Sequence, residues 1–237
     1  MLNRQISLTL PLRFKPVLGQ RRRPIPPCNR LNELEQQYDL TPWPSVCTAQ
    51  EWQENLYILD LLDQHLKQQN TARPCLDIGC KNGVYFPALA SFSNSSWDGI
   101  ELDAFRRYWN LASRRDHGHF MAKPFNCRYI PGSLLELDTN HSYQLITWFL
   151  PFIIETPLKA WGLPRRFYQP TALLQHAYEL LAPGGTLLII NQGKWETEVQ
   201  QRLFTATSIK ADFLGQVESE FSPFQQPRFA WRIDKPQ

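Results

Sequence analysis

The 237-residue sequence lacks any apolar run long enough to cross a membrane. Its longest apolar run lies around 149–154, whereas a membrane-spanning helix needs roughly 20 consecutive apolar residues. Hydrophobic residues nevertheless make up 43% of the chain, which excludes a wholly disordered protein. We therefore expect a folded protein with a sizeable core and no membrane contact.

Cysteines at metal-binding spacing are also missing. The five cysteines are scattered and odd in number, and no CxxC motif occurs. This pattern argues against a disulfide framework and a zinc site, and favours a reducing compartment, the cytoplasm. His117 and His119 stand close together but have no acid or cysteine pattern nearby, so we expect surface residues and no metal.

Acidic residues are absent from 1–30, a segment with seven basic residues and five prolines. Because prolines break helices, we predict a basic, proline-rich arm over 1–45 and a domain over 46–237. Three interpretations of the arm stay open. It lies over the domain surface, it contacts phosphate or an acidic partner, or it is a targeting peptide. The whole chain carries only +3, which does not favour a nucleic-acid partner, although the arm leaves one open.

The hydrophobic pattern becomes periodic after residue 45. Thr48 and Glu51 have the spacing of a capping box, and apolar residues then recur at helical intervals. From Pro74 onward, short apolar strands alternate with helical segments. The predicted strands are 75–78, 97–102, 127–130, 143–149, 186–191, 213–221 and 228–233, and the predicted helices are 84–92, 104–115, 170–181 and 194–207.

This alternation predicts an α/β fold with a doubly wound sheet of about seven strands and helices on both faces. The last two strands are joined by a short connection, which permits only antiparallel pairing. We therefore expect one antiparallel edge strand. In such sheets ligands bind beyond the carboxyl ends of the strands, so the turn after the first strand is the first place to look for a site.

That turn lacks the glycines of a dinucleotide-binding motif. A nicotinamide site requires glycine at offsets 0, +2 and +5, and these positions hold Gly79, Lys81 and Val84. The GxxxxGK[ST] pattern of a phosphate-binding loop is absent as well. The sequence therefore disfavours a nicotinamide-dependent oxidoreductase.

The segment 76–83 resembles the first motif of the class I S-adenosylmethionine-dependent methyltransferases, in which an acid precedes glycines at offsets 0, +2 and +4. Lys81 stands at the middle glycine position. The resemblance implies a Rossmann-like fold and S-adenosylmethionine as cofactor, with an acid suited to its ammonium and sulfonium charges. Three interpretations of Lys81 stay open: its ammonium pairs with the methionine carboxylate, its side chain points to solvent, or it weakens cofactor binding. The cofactor residues implied in this turn are Asp77, Gly79, Cys80 and Gly83.

Further matches follow in the order of the family. Glu101 ends the second strand at a workable distance from Gly83 and would accept hydrogen bonds from both ribose hydroxyls. Ser133 stands near the position of an acid that contacts the adenine amino group, and the resemblance implies that Leu134 covers the adenine face. Leu102 and Trp148 complete the implied cofactor residues.

The segment after the fourth strand lacks the Asn/Asp-Pro-Pro-Tyr/Phe signature of nucleic-acid amino-methyltransferases and has 149–152, Phe-Leu-Pro-Phe, instead. Methylation of bases or glutamine amides is therefore disfavoured, and the absence of a Pro-Cys pair disfavours cytosine C5 chemistry. The following stretch, 155–168, has two interpretations. It is a substrate loop that offers aromatic side chains and two arginines, or it is a loop that only caps the sheet edge. The sequence assigns no catalytic base.

The sequence thus predicts a methyltransferase with an unidentified acceptor, a small molecule or a protein side chain. The alternative is a non-catalytic module that keeps the fold and contacts a partner through the basic arm. Neither prediction specifies an oligomeric state.

Overall fold

The computed structural model describes residues 28–66, 73–108 and 111–237. The basic segment 1–27, which contains most of the predicted arm, lies outside the described residues. No helix within the described ranges combines the length and the apolar character that a membrane crossing needs.

The described residues contain one seven-stranded sheet in the order β3-β2-β1-β4-β5-β7-β6. The first five strands are parallel, and β7 pairs antiparallel with both β5 and β6. The predicted mixed sheet with antiparallel pairing at its edge is confirmed, and the reversed strand lies one position in from that edge. The strands are β1 Cys75–Ile78, β2 Trp97–Glu101, β3 Cys127–Pro131, β4 Tyr143–Phe149, β5 Leu181–Gln192, β6 Asp212–Gln216 and β7 Arg228–Asp234.

Helices cover both faces of the sheet, and a hydrophobic core lies on each side. Leu56, Phe86 and Met121 belong to one core, whereas Leu174 and Phe204 belong to the other. The α-helices of the described ranges are α1 Asn29–Gln37, α2 Ala49–His65, α3 Phe86–Phe92, α4 Arg114–Ala122, α5 Glu155–Ala160, α6 Pro170–Glu179 and α7 Gly193–Thr207.

The capping box before α2 is formed as the sequence predicts. The Thr48 hydroxyl accepts a hydrogen bond from Glu51 N–H at 3.3 Å, and the Glu51 carboxylate accepts one from Thr48 N–H at 2.9 Å. These reciprocal bonds satisfy backbone donors that a helix start leaves unpaired.

Residues 29–45 belong to the packed domain. The domain boundary expected between residues 45 and 46 therefore lies earlier in the chain, before residue 29. Leu34 of α1 and Trp43 are fully buried. Arg30 forms ion pairs with Asp60 at 2.7 Å and Asp63 at 2.5 Å, both on α2. The prediction of a basic, proline-rich arm over 1–45, separate from the domain, therefore does not hold for 29–45, because a short helix buries its apolar face there. It remains a prediction for 1–27.

The predicted helix over 104–115 is also wrong. Residues 102–105 form turns, and α4 begins only at Arg114, after a capping box made by Ser113 and Asp116. Arg106 and Arg114 are only 9% and 6% exposed. The reason is electrostatic, since each guanidinium is paired with a buried carboxylate at the end of β2.

The predicted strand 186–191 starts earlier than expected, because β5 begins at Leu181 and includes residues 183–185. Pairing with β4 shifts from Tyr143 opposite Leu181 to Leu145 opposite Thr186, so the intervening residues form an irregularity within the strand. The edge strand β6 is shorter than predicted and ends at Gln216.

Candidate functional site

A cavity of about 370 Å³ lies beyond the carboxyl ends of the parallel strands. This is where an open α/β sheet binds ligands, and the volume is within the usual range for a small-molecule site. The cavity brings together six of the cofactor residues that the sequence suggested, namely Gly79, Glu101, Leu102, Ser133, Leu134 and Trp148.

Gly79 gives the backbone close access to this cavity. Its φ is +72°, and a Cβ at this position would meet no atom within 4 Å. The left-handed conformation favours glycine, and the missing side chain leaves room for a ligand against the backbone. Gly132, after β3, also lines the cavity with open space at its Cβ position, and the sequence analysis did not select it.

Glu101 lies at the end of β2, where its carboxylate accepts three hydrogen bonds from the protein. Oε2 accepts from Lys81 N–H at 2.8 Å, and Oε1 accepts from Asp103 N–H at 2.7 Å and Arg114 Nη1 at 3.1 Å. A carboxylate offers about four acceptor positions. The expected pair of ribose hydrogen bonds is therefore reduced to one, unless Arg114 moves.

The Glu101 carboxylate is 4% exposed. Burial raises its pKa, and the Arg114 guanidinium and the two backbone donors oppose that shift. The environment thus contains the groups that a buried anion needs.

Two arginines connect the end of β2 to one wall of the cavity. Arg106 forms an ion pair with Asp103 at 2.6 Å and donates to the Trp161 carbonyl at 2.7 Å. The guanidinium carbons of Arg106 and Arg114 lie 5.1 and 4.8 Å from the Trp161 ring centre. Trp161 lines the cavity. Asp103 and Glu101 therefore help to hold this wall in place, because they pair with the two arginines that contact Trp161.

Asp77 does not line the cavity. Its side chain is 1% exposed and accepts a hydrogen bond from Thr147 Oγ1 on β4 at 2.8 Å. Burial raises its pKa to about 7. This carboxyl group connects two neighbouring strands, and its role toward the cofactor cation stays a prediction.

Cys80 and Gly83 likewise lie outside the cavity lining. Cys80 is 1% exposed, and its Sγ faces Gly99. Gly83 has a φ of +72°, and a Cβ there would approach Phe86 Cδ2 at 2.8 Å. These two residues pack the turn against α3 and β2, and their contact with the cofactor stays a prediction.

Lys81, at the position of the middle glycine, lines the cavity. Its φ of +53° lies in the left-handed region, which explains why this position suits glycine. The ammonium points toward Tyr85, with Nζ at 3.4 Å from the phenol oxygen and 5.2 Å from the ring centre. Lys81 thus contributes to the cavity lining, while its ammonium is directed at Tyr85, which is not a lining residue.

Ser133 and Leu134 follow β3 at the edge of the cavity. Leu134 is 4% exposed and belongs to the core on that face, so it offers an apolar surface to a flat ring. The Ser133 residue is 9% exposed. This placement fits the adenine-side roles that the resemblance implied, with a hydroxyl in place of an acid.

Aromatic side chains make up a further part of the cavity lining. Trp148 and Phe149 end β4, and Phe152 contacts Trp161 with a ring-centre distance of 5.4 Å. Phe167 completes this wall, whereas Arg165 is exposed and paired with Glu155 at 2.9 Å. The stretch 155–168 thus contributes aromatic rings to the cavity, as one of its two interpretations proposed.

Several lining residues were missed by the sequence analysis. Gln192 and Glu196 lie at the end of β5 and the start of α7, and the Glu196 carboxylate accepts from Gln192 N–H at 2.8 Å. The general rule that ligands bind at strand ends pointed to this region, but no residue motif marked these two positions.

His117 is fully buried and packs against Tyr108 with ring centres 4.7 Å apart, so the expectation of a surface residue is wrong for it. Within the described parts of the chain, no group of three or more His, Cys, Asp and Glu side chains is arranged to hold a metal ion.

Comparisons with known proteins agree with this architecture. No family model matches the chain, and no curated protein matches it either. Among solved structures, a methyltransferase from Pyrococcus furiosus aligns with a TM-score of 0.54 at 15% identity, covering 77% of this chain and 83% of that one. An S-adenosylmethionine-dependent methyltransferase from Aquifex aeolicus gives 0.54 at 11% identity, covering 88% and 99%. The N-methyltransferase NodS from Bradyrhizobium japonicum gives 0.52 at 13%, covering 79% and 97%.

These identities are low, so the alignments establish the fold. The chain has the Rossmann-like fold of the class I S-adenosylmethionine-dependent methyltransferases, as the sequence motif predicted.

Proposed function

We propose that this protein is an S-adenosylmethionine-dependent methyltransferase acting on an acceptor that is still to be identified. The observation that carries the proposal is the convergence of Gly79, Glu101, Leu102, Ser133, Leu134 and Trp148 on one cavity at the strand ends. These residues come from four separate segments of the chain, and the resemblance to the family selected them as a set.

The residues fit the cofactor as follows. The open Cβ position of Gly79 leaves space against the backbone, and the free acceptor position of Glu101 takes a ribose hydroxyl. Leu102 and Leu134 provide apolar contact for the adenine ring, and Ser133 provides a hydroxyl at its edge. When bound, S-adenosylmethionine supplies an electrophilic methyl group on a sulfonium.

The protein's part in methyl transfer is to align the acceptor and exclude water. Phe149 and Phe152 form an apolar wall beside the strand ends, where an acceptor approaches. The Glu196 carboxylate accepts from Gln192 N–H at the end of β5, and burial raises the pKa of Glu196. No residue among these is assigned as a catalytic base.

A second candidate function is a non-catalytic binding module that retains the cofactor fold. The observation that favours it is Lys81 in place of the middle glycine, together with the missing polar acceptor motif at 149–152. Its contact with a partner would run through the basic segment 1–27, which contains six of the arginines and lysines counted in 1–30.

Incubation of the protein with methyl-labelled S-adenosylmethionine and fractionated cell extract tests the first function against the second. The methyltransferase proposal predicts label in one or a few products, and reduced label at limiting cofactor concentration with the Glu101→Ala variant. Cofactor binding without any labelled product would favour the binding module.

We also propose a cytoplasmic location. The support is that all five cysteines are free thiols, and burial raises the pKa of Cys75, Cys80 and Cys127, which keeps them unreactive.

A further inference from the structure

We propose that the end of the cavity beside β5 binds the methyl acceptor as an amine carried on an apolar, planar group, and that Glu196 is the residue that selects the amino group. The inference rests on the proposed function and deepens it by naming the class of acceptor. Acceptors with a hydroxyl or an acidic head group are the alternatives that the binding experiment separates.

The order of the strands separates the two ends of the cavity. In the sheet, β2, β1, β4 and β5 follow one another, so three strand spacings, about 14 Å, lie between the end of β2 and the end of β5. Gly79 and Glu101, proposed for the cofactor, lie at the ends of β1 and β2. Gln192 ends β5, and Glu196 follows in the first turns of α7. The β5 end is therefore the part of the cavity left for the acceptor.

The apolar segment after β4 lies directly against this end. Phe149 pairs with Ile190 of β5, and Leu150 N–H donates to the Ile190 carbonyl at 2.8 Å. Ile190 precedes Gln192 by two residues, and residues 149–152 all line the cavity. An apolar, planar group of the acceptor would displace water from these side chains, which is favourable.

Ionisable groups are few in the cavity lining. Among the described residues they are Lys81, Glu101 and Glu196. The Lys81 ammonium is directed at Tyr85, which does not line the cavity. The Glu101 carboxylate is already paired with Arg114 and accepts two backbone N–H groups. Glu196 is therefore the lining carboxylate that remains for a cationic group of a ligand.

The Glu196 carboxylate keeps most of its hydrogen-bonding capacity. Its Oε2 accepts from Gln192 N–H at 2.8 Å, whereas a carboxylate offers about four acceptor positions. Glu196 is half-buried, and no Lys, Arg or His of residues 28–66, 73–108 or 111–237 forms an ion pair with it. Burying a carboxylate without a cation is unfavourable, and an ammonium at this point would offset that cost.

Arg228 is the cation that acts on Glu196 from a distance. It lowers the pKa of Glu196, against the larger effect of burial. Its Nη1 donates to Gln192 Oε1 at 2.7 Å, and its guanidinium carbon lies 4.5 Å from the Phe224 ring centre. Arg228 does not line the cavity. It therefore leaves the Glu196 carboxylate open to a ligand from the cavity side.

The two arginines of 155–168 do not make this end suitable for an acid. Arg165 is exposed and paired with Glu155 at 2.9 Å. Arg166 is exposed as well, and its guanidinium carbon lies 5.0 Å from the ring centre of Phe167. Phe167 lines the cavity, but neither arginine does. The described residues thus present aromatic surface and one negative charge to the acceptor.

Methyl transfer to an amine moves positive charge to this end of the cavity. The lone pair of the neutral amine nitrogen forms the new N–C bond while the electron pair of the C–S bond goes to sulfur. The products are S-adenosylhomocysteine and an alkylammonium, which then loses a proton to water. Glu196 attracts the charge that develops on nitrogen, whereas it would repel an acceptor that reacts as an anion.

Three probes with the same phenyl group and different head groups test the inference. Phenethylamine, phenethyl alcohol and phenylacetate are titrated into the protein saturated with S-adenosylhomocysteine, and ligand-observed NMR gives the affinities. Glu196→Gln removes the charge, but its amide oxygen still accepts from Gln192 N–H, so the start of α7 is kept. Glu198→Gln changes an exposed carboxylate on the same helix that does not line the cavity, and it is the matched control.

The wild type should bind phenethylamine roughly tenfold more tightly than phenethyl alcohol, because only the amine forms a charge-assisted hydrogen bond with Glu196. Phenylacetate should bind least tightly. Glu196→Gln should lose roughly tenfold in affinity for phenethylamine and less than about twofold for phenethyl alcohol. Glu198→Gln should bind all three probes as the wild type does.

The inference is contradicted if the wild type does not prefer phenethylamine to both other probes, or if Glu196→Gln keeps that preference. A folding defect of Glu196→Gln would appear as a lowered melting temperature, and the wild-type preference then decides. Failure of the proposed function is a different result, in which the wild type does not bind S-adenosylhomocysteine. The same titrations into the free protein then still decide whether Glu196 forms an amine site.

Discussion

Arg114 donates a hydrogen bond to Glu101 across 3.1 Å, and both side chains are buried. This ion pair joins the first residue of α4 to the last residue of β2. It also occupies one acceptor position of Glu101, the carboxylate that we propose to bind the ribose hydroxyls. Cofactor binding and local stability therefore depend on the same contact.

Replacing Arg114 with Met should destabilise the fold. The change leaves Glu101 buried without its cation, and breaking a buried pair from one side costs roughly 3–5 kcal/mol. The double variant Arg114→Met, Glu101→Gln should recover part of that loss, because no charge is then stranded. Urea unfolding of the four proteins of this cycle measures the coupling, and strictly additive losses would contradict a paired role.

Replacing Glu101 with Gln should weaken S-adenosylhomocysteine binding by about 1–3 kcal/mol, the usual cost of losing a hydrogen bond to a charged group. Calorimetric titration measures the affinity. Glu136→Gln changes an exposed carboxylate directly after the lining residue Leu135 and serves as the control. Equal affinities for wild type and Glu101→Gln would remove the ribose assignment.

Two glycines of the same turn should respond differently to alanine. Gly79 and Gly83 share a φ of +72°, but a Cβ meets nothing within 4 Å at Gly79 and Phe86 at 2.8 Å at Gly83. We expect Gly83→Ala to lose about 2–4 kcal/mol of stability through backbone strain and overpacking. We expect Gly79→Ala to lose only about 1–2 kcal/mol from strain, but at least tenfold in nucleoside affinity. Thermal unfolding with titration of both variants checks this, and the reverse pattern would refute the assignment of Gly79 to the cavity.

The pH dependence of stability should contain a contribution from Asp77. Burial raises its pKa from 3.8 to about 7, so between these values the folded protein binds more protons than the unfolded chain. The contribution of Asp77 is fully present below pH 3.8 and is lost as the pH rises through about 7.

Asp77→Asn should therefore be more stable than the wild type at pH 8, by on the order of 4 kcal/mol, and the difference should shrink toward pH 4. The Asn oxygen still accepts from Thr147, and Asp138→Asn is an exposed control. Urea unfolding across this pH range measures the difference. A constant difference across the range would show that Asp77 does not titrate in this way.

The sequence predicted the sheet well because strands and helices alternate with clear hydrophobic patterns. The turn at 76–83 and Glu101 could be found because spacing along the chain is what a strand-end site requires. The sequence did not separate Asp77 and Cys80 from Gly79, since all three are in one motif and only the sheet's geometry decides which side chain faces the cavity.

Other features depended on contacts between distant segments. Arg114 looked like a solvent-facing helix residue, because its partner Glu101 is on a different element. The helix Asn29–Gln37 was hidden by the composition of the arm, and its burial follows from docking on α2 through Arg30. Gln192 and Glu196 have no motif at all, and only the end of β5 places them at the cavity.

Calorimetric titration of the wild-type protein with S-adenosylhomocysteine tests the central claim most directly. The claim is that the cavity at the strand ends, with Gly79 and Glu101 in its lining, is a nucleoside site. It predicts saturable binding at a stoichiometry of about one per chain, competed by S-adenosylmethionine. Absence of binding at millimolar concentrations of either compound would contradict it.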